Sequence, residues 1–307
     1  MKRIFIDGKA GTTGLRIYDR LASRSDVELI VLSEEERKDP VARKRALNAA
    51  DVAFLCLPDA ASREAVAMTE NPQTVLIDTS TAHRTNNDWT YGFPELSADG
   101  RQKVASARRV AVPGCHASGF IALVKPLIEA GFISNETALT CFSVTGYSGG
   151  GKKMIEAYEN EPDVLLSAPR QYGLSQQHKH LPEMQAITGL AVTPVFCPVV
   201  SDFYSGMQVT VPLFAKDLKA GVTVEEIKNL YRARYTGPVV RYADAADEEG
   251  FLSAAGLSGK DSMEIAVFGN EERILLTARY DNLGKGASGA AIQCLNLLLG
   301  ADETEGL

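Results

Sequence analysis

Four runs in the first third of the chain, RIFID, VELIVL, DVAFLCL and TVLID, are apolar at almost every position. A strand with one solvated face alternates apolar and polar residues, whereas a strand apolar throughout is covered on both faces. Between the runs lie LRIYDRLASR, PVARKRALNAA and DAASREAVAMTE, with apolar residues at helical spacing. This alternation predicts a parallel sheet sandwiched by helices and joined by right-handed crossovers. The fold class expected is therefore α/β, with a Rossmann-type dinucleotide-binding domain at the start.

The pattern changes after residue 135. TALTCFSVTG, VTPVFCPVV, GMQVTVPLFA, SMEIAVFG and RILLTARYD read as strands with few helices between them, and FGNEERI reads as a hairpin turn. Antiparallel pairing is the simplest arrangement, so an α+β second domain with a mainly antiparallel sheet follows. The closing stretch NLGKGASGAAIQCLNLLLG is a glycine-rich loop leading into an apolar helix that can return to the first domain. The expected domains are 1–115 with 283–307, and 116–282. The last residues, ADETEGL, read as a frayed tail.

Composition narrows the function. With 32 Lys and Arg against 39 Asp and Glu, the net charge is −7, and no long basic block offers a nucleic-acid surface. No run of 18 apolar residues exists to span a membrane, and MKRIFID is too short for a signal peptide's apolar core. A cytoplasmic setting and a small-molecule partner are expected, with neither nucleic acid nor membrane. Four of the five cysteines, Cys56, Cys141, Cys197 and Cys294, sit in apolar runs and read as small buried hydrophobes.

The fifth is different. In AVPGCHASGF (111–120) a Pro-Gly turn delivers Cys115 to the start of an apolar helix. A helix N-terminus favours thiolate over thiol, so Cys115 reads either as a nucleophile or as a chemically silent helix-start residue. Two of the four histidines lie in SQQHKHLPEM, as His178 and His180, with Glu183 close behind. Such groups can serve a nucleophile as acid or base. No further His or Cys cluster completes a ligand set, so no metal is expected.

Other segments carry binding signals. DGKAGTTG places Gly8, Gly11 and Gly14 between the first strand and first helix, where close backbone approach and open N–H groups suit a pyrophosphate. Thr12 and Thr13 add hydroxyls. At the end of the second strand, VLSEEERKD offers Ser33 and Arg37 for a 2′-phosphate or Glu34 for a ribose, which leans toward NADP without deciding it. IDTSTAHR places Arg84 past a strand end as an anion clamp, and TGYSGGGKK places Ser148 in an anion loop or lid. Each of these segments also reads as a solvated loop.

Taken together, GKAGTTGLRI, CLPDAAS, LIDTSTAHR, YGFPEL, VPGCHASG, HKHLPEM and NLGKGASGAAIQ resemble, in order, segments of the N-acetyl-gamma-glutamyl-phosphate reductase family in its shorter form. The longer form has a Cys-Tyr-Pro-Thr-like run where this chain has Cys-His-Ala-Ser. The resemblance covers nearly the whole chain. It implies NADPH-dependent reduction of N-acetyl-glutamyl 5-phosphate to the semialdehyde, in arginine biosynthesis, through a thioester on Cys115. It further implies His178 as the acid/base in preference to His180, and His180 and Glu183 at the substrate or base. Asn282 and Gly284 would lie near the nicotinamide, and the chain would form a homodimer or homotetramer. Alternatives are a reductase of aspartyl phosphate or of carrier-bound aminoadipyl phosphate, or an inactive nucleotide-binding module.

Overall fold

The computed structural model describes residues 1–160 and 163–307. It divides into two compact units, Met1–Pro113 with Ala287–Leu307, and Gly114–Gly286.

The first unit begins β1 (Lys2–Asp7), α1 (Thr12–Leu21), β2 (Val27–Ile30), α2 (Pro40–Ala49), β3 (Val52–Leu55), α3 (Asp59–Met68) and β4 (Val75–Asp78). It continues with β5 (Thr90–Tyr91), α4 (Gly100–Ala105) and β6 (Arg109–Ala111). The six strands form a wholly parallel sheet in the order β2-β1-β3-β4-β6-β5. The apolar runs are buried on both faces: β3 has no exposed residue, and separate clusters around Ile4–Phe54–Ile292 and Phe5–Leu55–Leu76 fill the two sides.

The second unit contains α5 (Cys115–Glu129), β7 (Thr140–Gly146), α6 (Lys152–Asn160), β8 (Arg170–Gln171), α7 (Leu181–Thr188), β9 (Val195–Ser201) and β10 (Met207–Phe214). After these come α8 (Val224–Arg234), β11 (Val240–Tyr242), β12 (Met263–Gly269) and β13 (Arg273–Tyr280). Its sheet runs β11-β12-β13-β10-β7-β9-β8. Four of its pairings are antiparallel, and β7–β9 and β11–β12 are parallel. FGNEERI is the β12–β13 hairpin, with Gly269 at φ +104°. One sheet face packs under α5, which is buried from His116 to Val124. The other face is mixed, with Thr210, Arg273 and Arg279 on it, and it leaves Phe142, Val195, Phe214 and Leu275 exposed.

A single π-type turn (Gly284–Ser288) then leads into α9 (Gly289–Leu299), whose Ile292, Cys294 and Leu295 complete the first unit's core. Two expectations are corrected. The tail is tied down: Arg101 donates to Glu303 at 2.8 Å, Asn296 donates to the Glu305 carbonyl at 2.8 Å, and Leu307 packs on the core. Cys197 is half-buried, because the alternation of β9 sends Phe196 and Val200 to the core and Cys197 to the opposite face, and Cys56, just past the end of β3, is half-buried as well. Among the described residues no helix is long and apolar enough to cross a membrane.

Candidate active site

The glycine loop in the first unit is shaped by contact. Gly8 has φ +88°, and a Cβ there would lie 2.2 Å from the Cys56 carbonyl oxygen; one on Gly14 would lie 2.5 Å from the Gly8 carbonyl oxygen. The Gly11 N–H closes the turn onto the Gly8 carbonyl at 3.0 Å. Gly11 is also the N-cap of α1, with no side chain to occupy the N–H groups of the first turn, where Thr12 and Thr13 stand. Beside the loop is a cavity of about 360 Å³, lined by Gly8, Lys9, Tyr18, Glu34, Arg37 and Lys38 among others. Glycine turn, open helix start and a cationic rim are the donor set a dinucleotide phosphate chain needs, so the residues fit one.

Residue by residue the rim departs from expectation. Ser33 does not line the cavity. Its hydroxyl accepts the Glu36 N–H at 3.2 Å while the Glu36 carboxylate accepts the Ser33 N–H at 3.1 Å, a reciprocal cap of the turn that follows. Arg37 lines the cavity and pairs with the exposed Glu34, a contact weak enough to exchange for a phosphate. Two basic groups that sequence reasoning passed over belong here. Lys9 lies over the Tyr18 ring at 3.1 Å, and Arg43 forks onto buried Asp7 at 2.9 Å. Arg43 is at helical spacing in PVARKRALNAA, but nothing local marks its partner.

IDTSTAHR is braced internally. Buried Asp78 accepts the Ser80 hydroxyl at 2.7 Å and bonds His83 Nδ1 at 2.6 Å, and His83 stacks on Trp89 at 4.2 Å. Arg84 is buried and acts at least in part as a brace, donating to the Val112 carbonyl and the Thr79 carbonyl, each at 2.9 Å.

In the second unit Cys115 is the first residue of α5, after Gly114 as N-cap, and it is half-buried. The peptide dipoles of a fifteen-residue helix point at it. Burial first, and then the nearness of Cys115, raises the Tyr172 and Tyr280 phenols. The chain passes very close on another side, where a Cβ on Gly286 would lie 3.0 Å from Cys115 Cβ. The carboxylate of Glu183, buried on α7, accepts the Gly114 N–H at 2.8 Å. Glu183 thus holds the turn that presents the sulfur.

The histidines gather around His116. Its ring centroid lies 5.9 Å from that of His178 and 5.7 Å from that of His180, and Phe196 closes the cluster. His116 is buried between the Ser143 hydroxyl at 2.7 Å and the Tyr172 hydroxyl at 2.6 Å, and burial pushes it down to about 3. It is a neutral strut. His178 is pushed down to about 4, first by burial and then by the charge of Lys179. The His180 N–H donates to His178 Nδ1 at 3.2 Å, which leaves the proton of the neutral ring on Nε2. Gln176 anchors this loop by exchanging two hydrogen bonds with the Phe196 backbone, at the cost of a left-handed φ of +56°. Ser148 and Asn282 also meet: the Asn282 amide donates to Ser148 Oγ at 3.0 Å and accepts the Gly206 N–H at 2.9 Å. The Gly284 N–H donates to buried Asp281 at 3.0 Å. Among the described residues no group of three His, Cys, Asp or Glu could hold a metal ion.

The two depressed imidazoles fix a pH dependence. Unfolded histidine titrates near 6.5, so below that pH the unfolded chain binds protons that the folded chain refuses, and stability falls with falling pH through the folded values near 3 and 4. Between pH 7.5 and 5.0 a fully buried histidine loses about 2 kcal/mol, and the half-buried His178 about 1 kcal/mol after allowance for solvent. Urea unfolding is expected to show the His116→Gln variant losing about 2 kcal/mol less than wild type over that interval.

Residues 3–104 match the family model for the semialdehyde dehydrogenase NAD binding domain, and residues 115–282 match the semialdehyde dehydrogenase dimerisation domain. An N-acetyl-gamma-glutamyl-phosphate reductase of Burkholderia lata is 46% identical over 306 residues, covering 97% of this chain and 96% of that protein. An N-acetyl-gamma-glutamyl-phosphate reductase 2 of a Nostoc species is 44% identical, covering 99% of each. Among solved structures, aspartate semialdehyde dehydrogenase II of Vibrio cholerae shares the fold with a TM-score of 0.75 at 18% identity, over 98% of each chain. The chain therefore belongs to the semialdehyde dehydrogenase family, among the N-acetyl-gamma-glutamyl-phosphate reductases.

Proposed function

We propose that this chain reduces N-acetyl-glutamyl 5-phosphate to N-acetyl-glutamate 5-semialdehyde and phosphate with NADPH, in arginine biosynthesis, through a thioester on Cys115. The observation that carries the reading is Cys115 at the start of α5, next in sequence to the His116 around which His178 and His180 gather, in a chain close to half identical to named reductases over nearly its full length.

The chemistry follows from the groups present. Cys115 Sγ attacks the acyl carbon; a C–S bond forms, the C–O bond to phosphate breaks, and phosphate departs with the electron pair. The first-turn N–H groups of α5 stabilise the oxyanion as it forms. When bound, NADPH supplies the hydride that reduces the thioester carbonyl. His178 Nε2–H donates to the oxyanion that results, in the way a neutral imidazole acts as an electrophile. The C–S bond then breaks, returning the thiolate and releasing the aldehyde. His180 and Ser148 stand on the substrate side, and Glu183 acts through the Gly114 turn. Gly8, Gly11, Gly14, Thr12 and Thr13 hold the phosphate chain of the cofactor, Arg37 and Lys38 its 2′-phosphate, and Asn282 and Gly284 the nicotinamide side.

The matching family model is named as a dimerisation domain, and the four large apolar side chains exposed on one sheet face support a homodimer that pairs this face with that of a second copy. Five free cysteines suit the cytoplasm, where thiols stay reduced.

The test is the reverse reaction. Purified protein with NADP and phosphate is offered N-acetylglutamate semialdehyde or aspartate semialdehyde, and NADPH formation is followed at 340 nm. A kcat/KM at least about a hundredfold higher for the acetylated aldehyde is expected, since an amide-recognising site rejects a charged amine. Preference for aspartate semialdehyde would replace the substrate assignment.

A further inference from the structure

In an α-helix each backbone N–H pairs with the carbonyl four residues before it. The pair at the head of α5 is the Gly119 N–H and the Cys115 carbonyl, and both also bond a single side chain from β13. The Gly119 N–H donates to Tyr280 Oη at 3.1 Å, and the Tyr280 hydroxyl donates to the Cys115 carbonyl oxygen at 2.5 Å. Tyr280 is wholly buried, and the helix has made room for it: a Cβ on Gly119 would lie 2.7 Å from Tyr280 Oη. Met207 lies opposite Tyr280 on β10, and Val209, two residues on, would lie 2.7 Å from the same Cβ, so the hydroxyl has one place to go.

We propose that Tyr280 is a positioning residue for the nucleophile: its hydroxyl clamps the Cys115 peptide and so fixes the direction of Cys115 Sγ. The inference rests on the reading of Cys115 as the nucleophile and adds a residue to it. Glu183 already holds the peptide side before Cys115 through Gly114, and Gly286 limits the space beside its Cβ. The Cys115 carbonyl is the remaining handle, and the Tyr280 hydroxyl holds it. Without that hydroxyl the Cys115 carbonyl keeps only its helical partner, so the first peptide plane of α5 is held less firmly about Cys115 ψ and the direction of the sulfur is less sharply fixed. A displacement of about 1 Å at a reacting atom costs about a hundredfold in rate.

The experiment compares Tyr280→Phe with Thr277→Val. Thr277 on the same strand donates its buried hydroxyl to the Ala266 carbonyl at 3.2 Å, so its loss controls for removal of a buried hydroxyl. Tyr280→Phe is expected to lower kcat between tenfold and a hundredfold, leave KM and NADPH affinity within about threefold, and slow alkylation of Cys115 by iodoacetamide between pH 6 and 9. Thr277→Val is expected to keep kcat and alkylation within about twofold of wild type. Tyr280→Phe matching Thr277→Val in both readouts overturns the proposal. If Tyr280→Phe fails to fold, 3-fluorotyrosine placed at 280 keeps the packing and makes the hydroxyl a stronger donor. A changed alkylation rate constant then supports the clamp, and an unchanged one overturns it. Turnover surviving in Cys115→Ser would instead defeat the underlying reading.

Discussion

Cys115→Ser is expected to bind NADPH as wild type does and to lose turnover by a factor of about a thousand or more. A thiol at a helix N-terminus ionises readily because the charge falls on unpaired peptide N–H groups, and α5 starts at Cys115 itself. A serine hydroxyl keeps almost the same shape and hydrogen-bonding reach but stays protonated. Cofactor affinity is expected to hold because the substitution replaces one sulfur by an oxygen and leaves the glycine loop and its cavity unchanged. The checks are initial rates at saturating substrate and NADPH fluorescence titration. Turnover within about tenfold of wild type would end the covalent reading, and a large loss of NADPH binding would mean that the substitution disturbs more than the sulfur.

The second large effect is expected at His178. His178→Asn keeps a polar side chain of smaller size but removes the Nε2–H donor, and kcat should fall by about a hundredfold to a thousandfold. The wild-type pH profile carries a further signature. Because burial holds His178 down at about 4, its ring is neutral from pH 5 upward, and no loss of kcat is expected from its protonation near pH 6.5. An inflection near 6.5 that disappears in His178→Asn would show that the ring titrates freely and would remove the neutral-donor role. His116→Gln provides the contrast. Both ring nitrogens of His116 are held by Ser143 and Tyr172, so its substitution should act on stability more than on the proton inventory of the reaction.

The sheet of the first unit was legible because its strands are buried on both faces and so written as unbroken apolar runs, RIFID and DVAFLCL most plainly. β5 and β8, of two residues each, left no such mark, since their existence depends on a neighbouring strand and not on their own composition. Cys115 stood out because Pro-Gly turn, cysteine and apolar helix are contiguous. What holds Cys115 was hidden. Glu183 is 69 residues from Gly114, and Tyr280 is 165 residues from Cys115. Tyr280 could have been suspected only as a hydroxyl in a strand, RILLTARY, whose other inward residues are apolar. Arg84 shows the converse error. An arginine after a strand end reads as an anion clamp because the sequence does not show that the Val112 and Thr79 carbonyls are among its acceptors. The acidic tail failed for the same reason, because Glu303 gains Arg101 from a helix 202 residues earlier.

The most direct measurement omits the cofactor. Protein mixed with N-acetyl-glutamyl 5-phosphate alone should release a single burst of phosphate, one per chain, and intact mass should rise by one N-acetylglutamyl group carried on the Cys115 peptide. Hydroxylamine should remove that mass from one portion of the acylated protein, and NADPH added to another portion should discharge it as aldehyde. Phosphate release that waits for NADPH, or acyl mass carried on any residue other than Cys115, would contradict the thioester mechanism.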